Sequence, residues 1–261
     1  MESQMAEMGK YLYCIIPCSE NRTFDADVIG DGDGVVHTVP HNGLAAVVSD
    51  SPVTQYESTR RNMMAHEKAI ERVMKEFTLL PVRFGTITDS ASPIQDIQKL
   101  LGSRFEEFQK LLEDMEDKVE LGLKAFWRDE KAIFEEIVAE NGDIRRLRNS
   151  LSGKSPEATH FDRIRLGEMV KEALNRKRAK EAAKILLPLR QLAHRVRENE
   201  ALGDRMVVNA AFLVGRSKEP EFDHVVNKLD EQLGGRVALK YIGSAPPYNF
   251  VNIVVNWKEL G

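Results

Sequence analysis

The chain of 261 residues is long enough to bury a sizeable core, and more readily as two domains than as one. Its 42% hydrophobic and 30% charged residues are those of a soluble globular protein, and no apolar run approaches the about 18 residues of a membrane span. A net charge of −4, no secretory-leader pattern, and Cys14 and Cys18 at a spacing that suits neither a redox pair nor a zinc pair predict a reduced cytoplasmic protein.

In chain order, aromatic and β-branched residues predict a strand over Lys10–Ile16, followed by a polar, Gly/Asp-rich surface loop over 20–34. Asn42-Gly43 predicts a tight hairpin turn between strands at Val35–Val39 and Leu44–Ser49. Met63, His66, Ile70, Val73 and Phe77 recur at spacings of three and four, which predicts an amphipathic helix over Thr59–Phe77. A short strand is expected at Val82–Thr86, then a helix over Ile94–Met115 with an interruption at Gly102. Val119, Leu121, Leu123, Ala125 and Trp127 alternate with less apolar neighbours, as a strand with one buried face does. Together these predict an α+β sandwich of ferredoxin-like character over residues 1–128, its sheet backed by helices on one side.

The middle, 129–199, reads as helical, with helices at Asp129–Asn141 and Asp143–Ser150 and a break at Ser152-Gly-Lys-Ser-Pro156. A longer helical stretch runs from Leu166 to Val196; its rhythm fails at Asn175–Arg178, and Pro188 is expected to kink or divide it. Residues 205–257 read as a smaller β-α-β-β unit. It comprises an apolar strand Met206–Val214, a helix Glu219–Leu233 ended by Gly234-Gly235, a strand through Val237, Leu239 and Tyr241, and a last strand Val251–Trp257. The expected architecture is therefore α+β, with a second domain over 129–261.

Charge is segregated along the chain. Glu106–Glu140 holds twelve acidic and five basic residues, a net of −7, whereas Asp143–Glu198 holds fifteen basic and seven acidic, a net of +8. Such neighbours touch each other, lie as solvated helix faces, or offer a polarised surface to a charged partner.

Chemistry-bearing patterns fall short of their motifs. His66-Glu67 lacks a second histidine one turn on, since Ile70 stands there; His66 reads as a core-edge histidine bonded to backbone, or as part of an interaction face. Gly153-Lys154-Ser155 lacks the earlier glycine of a phosphate loop, because Arg148 occupies that place. The Gly30–Gly34 run has Asn42 where a calcium loop needs its bidentate acid, and reads as the approach to the hairpin. Arg176-Lys-Arg178 and Lys180 lack a nucleic-acid module or stacking aromatics and read as a solvated face. No catalytic residue, cofactor or metal site is predicted.

Two aromatic, Gly/Pro-punctuated turns are the most distinctive segments: Leu79–Gly85, reading LLPVRFG, and Tyr241–Val251, reading YIGSAPPYNFV. Pro246 and Pro247 stiffen the second into a loop that presents Tyr248 and Phe250. Arg83, between Pro81 and Phe84-Gly85, is placed to hold a carboxylate or loop carbonyl in bidentate fashion. With Tyr11-Leu-Tyr-Cys-Ile15, Leu44–Ser49 and His66, these segments resemble, in order, the gas-vesicle accessory proteins of the F/L type; Ser244-Ala245 departs from that pattern. The resemblance implies a non-enzymatic accessory or minor structural protein of gas-vesicle assembly, cytoplasmic and vesicle-associated. Its implied partners are the small, hydrophobic major shell protein and other vesicle components, with neither nucleic acid nor membrane. Such a β-rich shell subunit needs its apolar surface or strand edge covered before incorporation. Arg83, Phe84, Tyr248 and Phe250 are the expected contact residues, the alternative being that their side chains lock the fold. A small-molecule enzyme on a ferredoxin-like fold, with Arg83 and His66 at its centre, is the other class of function to weigh.

Overall fold

The structure, a computed structural model, describes residues 7–30, 34–89 and 91–259. Asp31, Gly32 and Asp33 of the Gly30–Gly34 run therefore lie outside the described residues. The chain forms two compact units, one built from the chain up to Glu120 together with Ser244 onward, the other from Leu121–Gly243. The mixed α+β class is as expected. The units, however, are not consecutive stretches: the tail from Ser244 belongs with the first rather than with the C-terminal unit.

In the first unit, β1 (Met8–Ile16), β2 (Thr23–Phe24), β3 (Val36–His41), β4 (Leu44–Pro52) and β5 (Leu80–Pro81) form an antiparallel sheet in the order β2-β3-β4-β1-β5. The β3–β4 hairpin turns at Asn42 and Gly43, both in the left-handed region (φ 51° and 88°) that this residue pair tolerates. Helix α1 (Arg60–Met74) starts at Thr59, whose hydroxyl accepts from the Asn62 N–H, and buries His66, Ala69, Ile70 and Val73. The helix expected over 94–115 with an interruption at Gly102 is two, α2 (Pro93–Ser103) and α3 (Phe105–Met115), the break falling two residues further on at Arg104. Tyr11, Tyr13 and Ile16 of β1 cluster with α1, and α2 packs on β1, β3 and β4. Nearly every position of β1 and the first six of β4 are buried, so this sheet is covered on both faces rather than one.

The second sheet has the order β7-β8-β6-β9, from β6 (Lys118–Trp127), β7 (Arg195–Glu198), β8 (Met206–Gly215) and β9 (Val237–Ala245). Its helices are α4 (Glu130–Glu140), α5 (Gly142–Leu151), α6 (His160–Arg190) and α7 (Glu219–Leu233). Strand β6, expected to complete the N-terminal sheet, lies here between β8 and β9; alternation shows that a strand has a buried face, not which strands flank it. The Trp127 N–H donates to Arg205 O at 2.9 Å and the Arg128 N–H to Arg236 O at 2.9 Å. Helix α6 runs through Asn175–Arg178 and Pro188 without a break. Pro188 lies in the last turn, where the missing N–H removes little, and residues 195–198 are strand rather than helix. The final strand expected at 251–257 is reduced to one parallel bridge, Val82 with Ile253.

Candidate functional site

The two aromatic turns meet within the first unit. Pairing of Cys14 with Pro81 and the Val82–Ile253 bridge set the first turn against the tail. Arg83 Nε and Nη2 both donate to Asn252 Oδ1, at 3.1 and 2.8 Å, so the bidentate acceptor is an amide oxygen 169 residues further on. Gly85 follows at φ 81°, where glycine is free of strain, and its N–H donates to the Tyr11 hydroxyl at 3.0 Å. In the second turn the Tyr248 N–H donates to Pro246 O at 2.8 Å, and the Phe250 and Val251 N–H groups to Pro247 O at 3.0 and 2.8 Å. Buried Glu120 clamps this turn, accepting from the Asn249 N–H at 2.8 Å and from Asn249 Nδ2 at 2.6 Å.

Between the turns lies an aromatic cluster. Tyr11 and Tyr13 are two apart on β1 and so share a face. His66 stacks on Tyr13 (5.7 Å, 28°) and brings Nδ1 to 3.0 Å from the Tyr11 hydroxyl. Phe84 meets Tyr11 and His66 edge-on at 6.3 and 5.6 Å. The Tyr13 hydroxyl pairs with Ser49 Oγ at 2.9 Å and accepts from the Ile29 N–H at 2.9 Å. Phe84 and Tyr248 both pack, half-buried, against this core.

Burial sets the protonation states. It holds the imidazole of His66, 1% exposed, down at about 4, partly opposed by the Val82 backbone, although no group meets hydrogen-bond geometry at Nε2. The Tyr248 hydroxyl is likewise buried without a partner of good geometry; burial and the nearby Glu67 carboxylate push its pKa up. Burial raises Tyr11, Tyr13 and Glu67 too. The result is a set of neutral rings and protonated hydroxyls, an arrangement suited to holding a shape.

Arg83 is exposed, while Phe84, Tyr248 and Phe250 are half-buried. His66 was expected to bond backbone; the Val82 backbone does act on the ring, and Nδ1 in addition meets a tyrosine hydroxyl that was not foreseen. The basic run at 176–180 is not simply solvated: Lys177 Nζ lies 2.9 Å from Glu136 Oε2 and 2.8 Å from Glu140 Oε1, and Arg178 Nη2 donates to Gly203 O at 3.1 Å. The acidic and basic stretches thus touch in part, through α4 and α6. Glu120, Asn249 and Asn252 escaped the sequence reading, since no local pattern signals a partner 129 or 169 residues away. Tyr11 and Tyr13 carried a signal in their spacing. Both cysteines are free thiols, buried.

A model of the family described as gas vesicle synthesis protein GvpL/GvpF matches residues 9–252. The chain belongs to that family. Gas vesicle protein F of a Streptomyces species is 32% identical over 224 residues, covering 85% of this chain and 90% of the relative. That of Microcystis aeruginosa is 26% identical over 249 residues, covering 95% and 99%. The crystal structure of GvpF from Anabaena sp. PCC7120 matches with a TM-score of 0.78 at 26% identity, covering 95% of this chain and 100% of that one. The segments that carried the GvpL/GvpF resemblance lie far apart in sequence, yet Tyr11, Tyr13, Ser49, His66, Phe84, Gly85 and Tyr248 all belong to, or directly contact, the one aromatic cluster.

Proposed function

We propose that this gas-vesicle assembly protein acts by contact rather than catalysis, binding the small hydrophobic shell protein and associating with the vesicle alongside other accessory proteins. The end-to-end likeness to proteins named gas vesicle protein F carries this reading. The proposed contact face is the paired-turn surface of Arg83, Phe84, Tyr248 and Phe250. It supports the reading that Arg83 is exposed and that the two phenylalanines, half-buried, keep part of their rings at the surface. The buried locks beneath hold these side chains in place, which lowers the ordering cost of binding. No helix among the described residues is long and apolar enough to cross a membrane.

The test is a pull-down of the purified chain against the major gas-vesicle shell protein, at low and high salt. Salt-resistant capture is expected, because an apolar contact is not screened. Phe250→Ser and Arg83→Ala, which spare the cluster, should each weaken capture about fivefold or more. Phe84→Ala and Tyr248→Ala should do so in protein whose circular dichroism is unchanged. Undiminished capture by all four folded variants would reject the contact face. No capture of the shell protein at either salt would reject shell binding itself.

A further inference from the structure

Each sheet has two edges, and three of the four are blunted against further pairing. Strand β2 is two residues long, β5 is two residues ending in Pro81, and β7 is four residues of which Arg195, Arg197 and Glu198 are charged. Strand β9 is the exception. It runs for nine residues with one charged side chain, Lys240, and with neither a proline nor a positive φ. An edge with so little to deter a second strand is a place for one to add.

The pairing with β6 decides which backbone groups face outward. The Arg128 N–H donates to Arg236 O, and a Cβ on Gly122 would meet the Ile242 side chain at 3.5 Å. Both contacts fit one antiparallel register, in which Arg236, Ala238, Lys240 and Ile242 turn their N–H and C=O groups toward β6. The residues between them turn theirs outward. Val237 is buried, which leaves Leu239, Tyr241 and Gly243 as the accessible row, and their backbones bond no further segment among the described residues. Helix α7 does not cover this row: Phe222 touches Phe212 of β8 and stacks on Tyr241, so the helix lies over the strands, inside the edge. A Cβ on Gly243 would meet nothing within 4 Å, and Ile242 is 51% exposed.

We propose that β9 pairs antiparallel with β9 of a second copy of the chain, about a two-fold axis through Tyr241. The inference is independent of shell binding. The strand is complementary to itself, and that selects the partner. Centring on Tyr241 pairs Leu239 with Gly243 of the copy, twice, and Tyr241 with its counterpart, which engages every accessible outward group. Centring one residue earlier would set the two Lys240 side chains opposite each other. In the Tyr241 register, Lys240 instead faces Ile242 of the copy and covers it with its aliphatic stem, while the two Tyr241 rings form a cross-strand aromatic pair. The contact is isologous and closes at two molecules. Its small area makes association weak and concentration-dependent.

Sedimentation velocity over a concentration series of the full chain tests it. The weight-average mass should rise with concentration and level off at that of two molecules. Gly243→Pro removes one outward N–H and leaves the β6 ladder alone, a change that edge strands tolerate. Each dimer loses two hydrogen bonds by symmetry, so association should weaken about tenfold or more in protein whose circular dichroism is unchanged. Two substitutions at exposed Ile242 read the register. Ile242→Glu sets a carboxylate opposite Lys240 of the copy and should tighten association about threefold at low salt; Ile242→Lys sets like charges together and should weaken it about as much. Both effects should shrink at high salt. A chain that stays monomeric at every concentration overturns the proposal. So does growth past two molecules, association that folded Gly243→Pro leaves unchanged, or a shift in the same direction from both Ile242 substitutions.

Discussion

The centres of the two compact units are held by opposite kinds of chemistry. In the first, Tyr11, Tyr13, His66, Phe84 and Tyr248 form a neutral aromatic cluster in which burial keeps every hydroxyl protonated and the imidazole uncharged. In the second, Arg236 is the hub of a charged network. It donates Nη1 and Nη2 to Glu136 Oε1 and Oε2 at 2.7 and 2.8 Å, and Nη2 also to Glu181 Oε1 at 2.7 Å. Trp127 Nε1 donates to Glu181 Oε2 at 2.5 Å, and Lys177 closes the network on Glu136 and Glu140. Through it α4, α6 and the entry to β9 are cross-linked by ions that remain partly wet. A neutral centre is weakened by gaining a charge, and a charged one by losing a charge, so the two units should respond to acid in different ranges.

The largest expected effect sharpens that contrast. His66 has its folded pKa depressed from 6.5 to about 4, so the fold favours the neutral ring. Its contribution is complete above pH 6.5 and is lost as pH falls through about 4, a decline on the order of 3 kcal/mol. Glu67, raised by burial, acts in the opposite sense and offsets part of that loss. In the second unit, arginine and lysine bonds depress Glu136 from 4.5 to about 2, so its contribution persists to pH 4.5 and fades only below. Hydrogen exchange in β1 and β8 across this range should show β1 losing protection first. His66→Gln should flatten the β1 response above pH 4.5. Equal loss in both strands would break the comparison.

A smaller effect is expected from Tyr11→Phe, which strips the hydroxyl that takes the Gly85 N–H and meets His66 Nδ1. Leaving buried His66 Nδ1 and the part-buried Gly85 N–H without that partner should cost about 2 kcal/mol in urea unfolding. The smallest is expected from Arg236→Met. It takes the guanidinium from Glu136 and Glu181, which keep Lys177 and Trp127, and the Arg236 and Glu136 side chains are 38% and 36% exposed, so water recovers much of the loss and about 1 kcal/mol should remain. The Arg236 effect should shrink in high salt, whereas that of Tyr11 should not. A salt-independent Arg236 penalty would show that the network acts through packing.

Much of this organisation is local and could be read from residue order. The Asn42-Gly43 turn, the inward face of α1 and the doubly buried β8 follow from backbone preference and from the periods of strand and helix, which neighbouring residues set by themselves. The same reading singled out His66 and the two aromatic turns, and family resemblance attached a role to them. Partners far along the chain were decided only in three dimensions. Strand β6 shows the same alternation whether it joins the first sheet or the second, and its neighbours β8 and β9 follow from long-range packing. The apolar pattern of Val251 and Ile253 is real, yet both residues bury as anchors of a tail in the first unit instead of building a strand. Arg83 announced a need for a bidentate acceptor; only the fold supplied Asn252, as it supplied Asn249 to Glu120. Periodicity specifies which side of an element is dry, because that depends on geometry within a few residues. What lies against that side depends on where distant segments come to rest, and that is settled by tertiary packing.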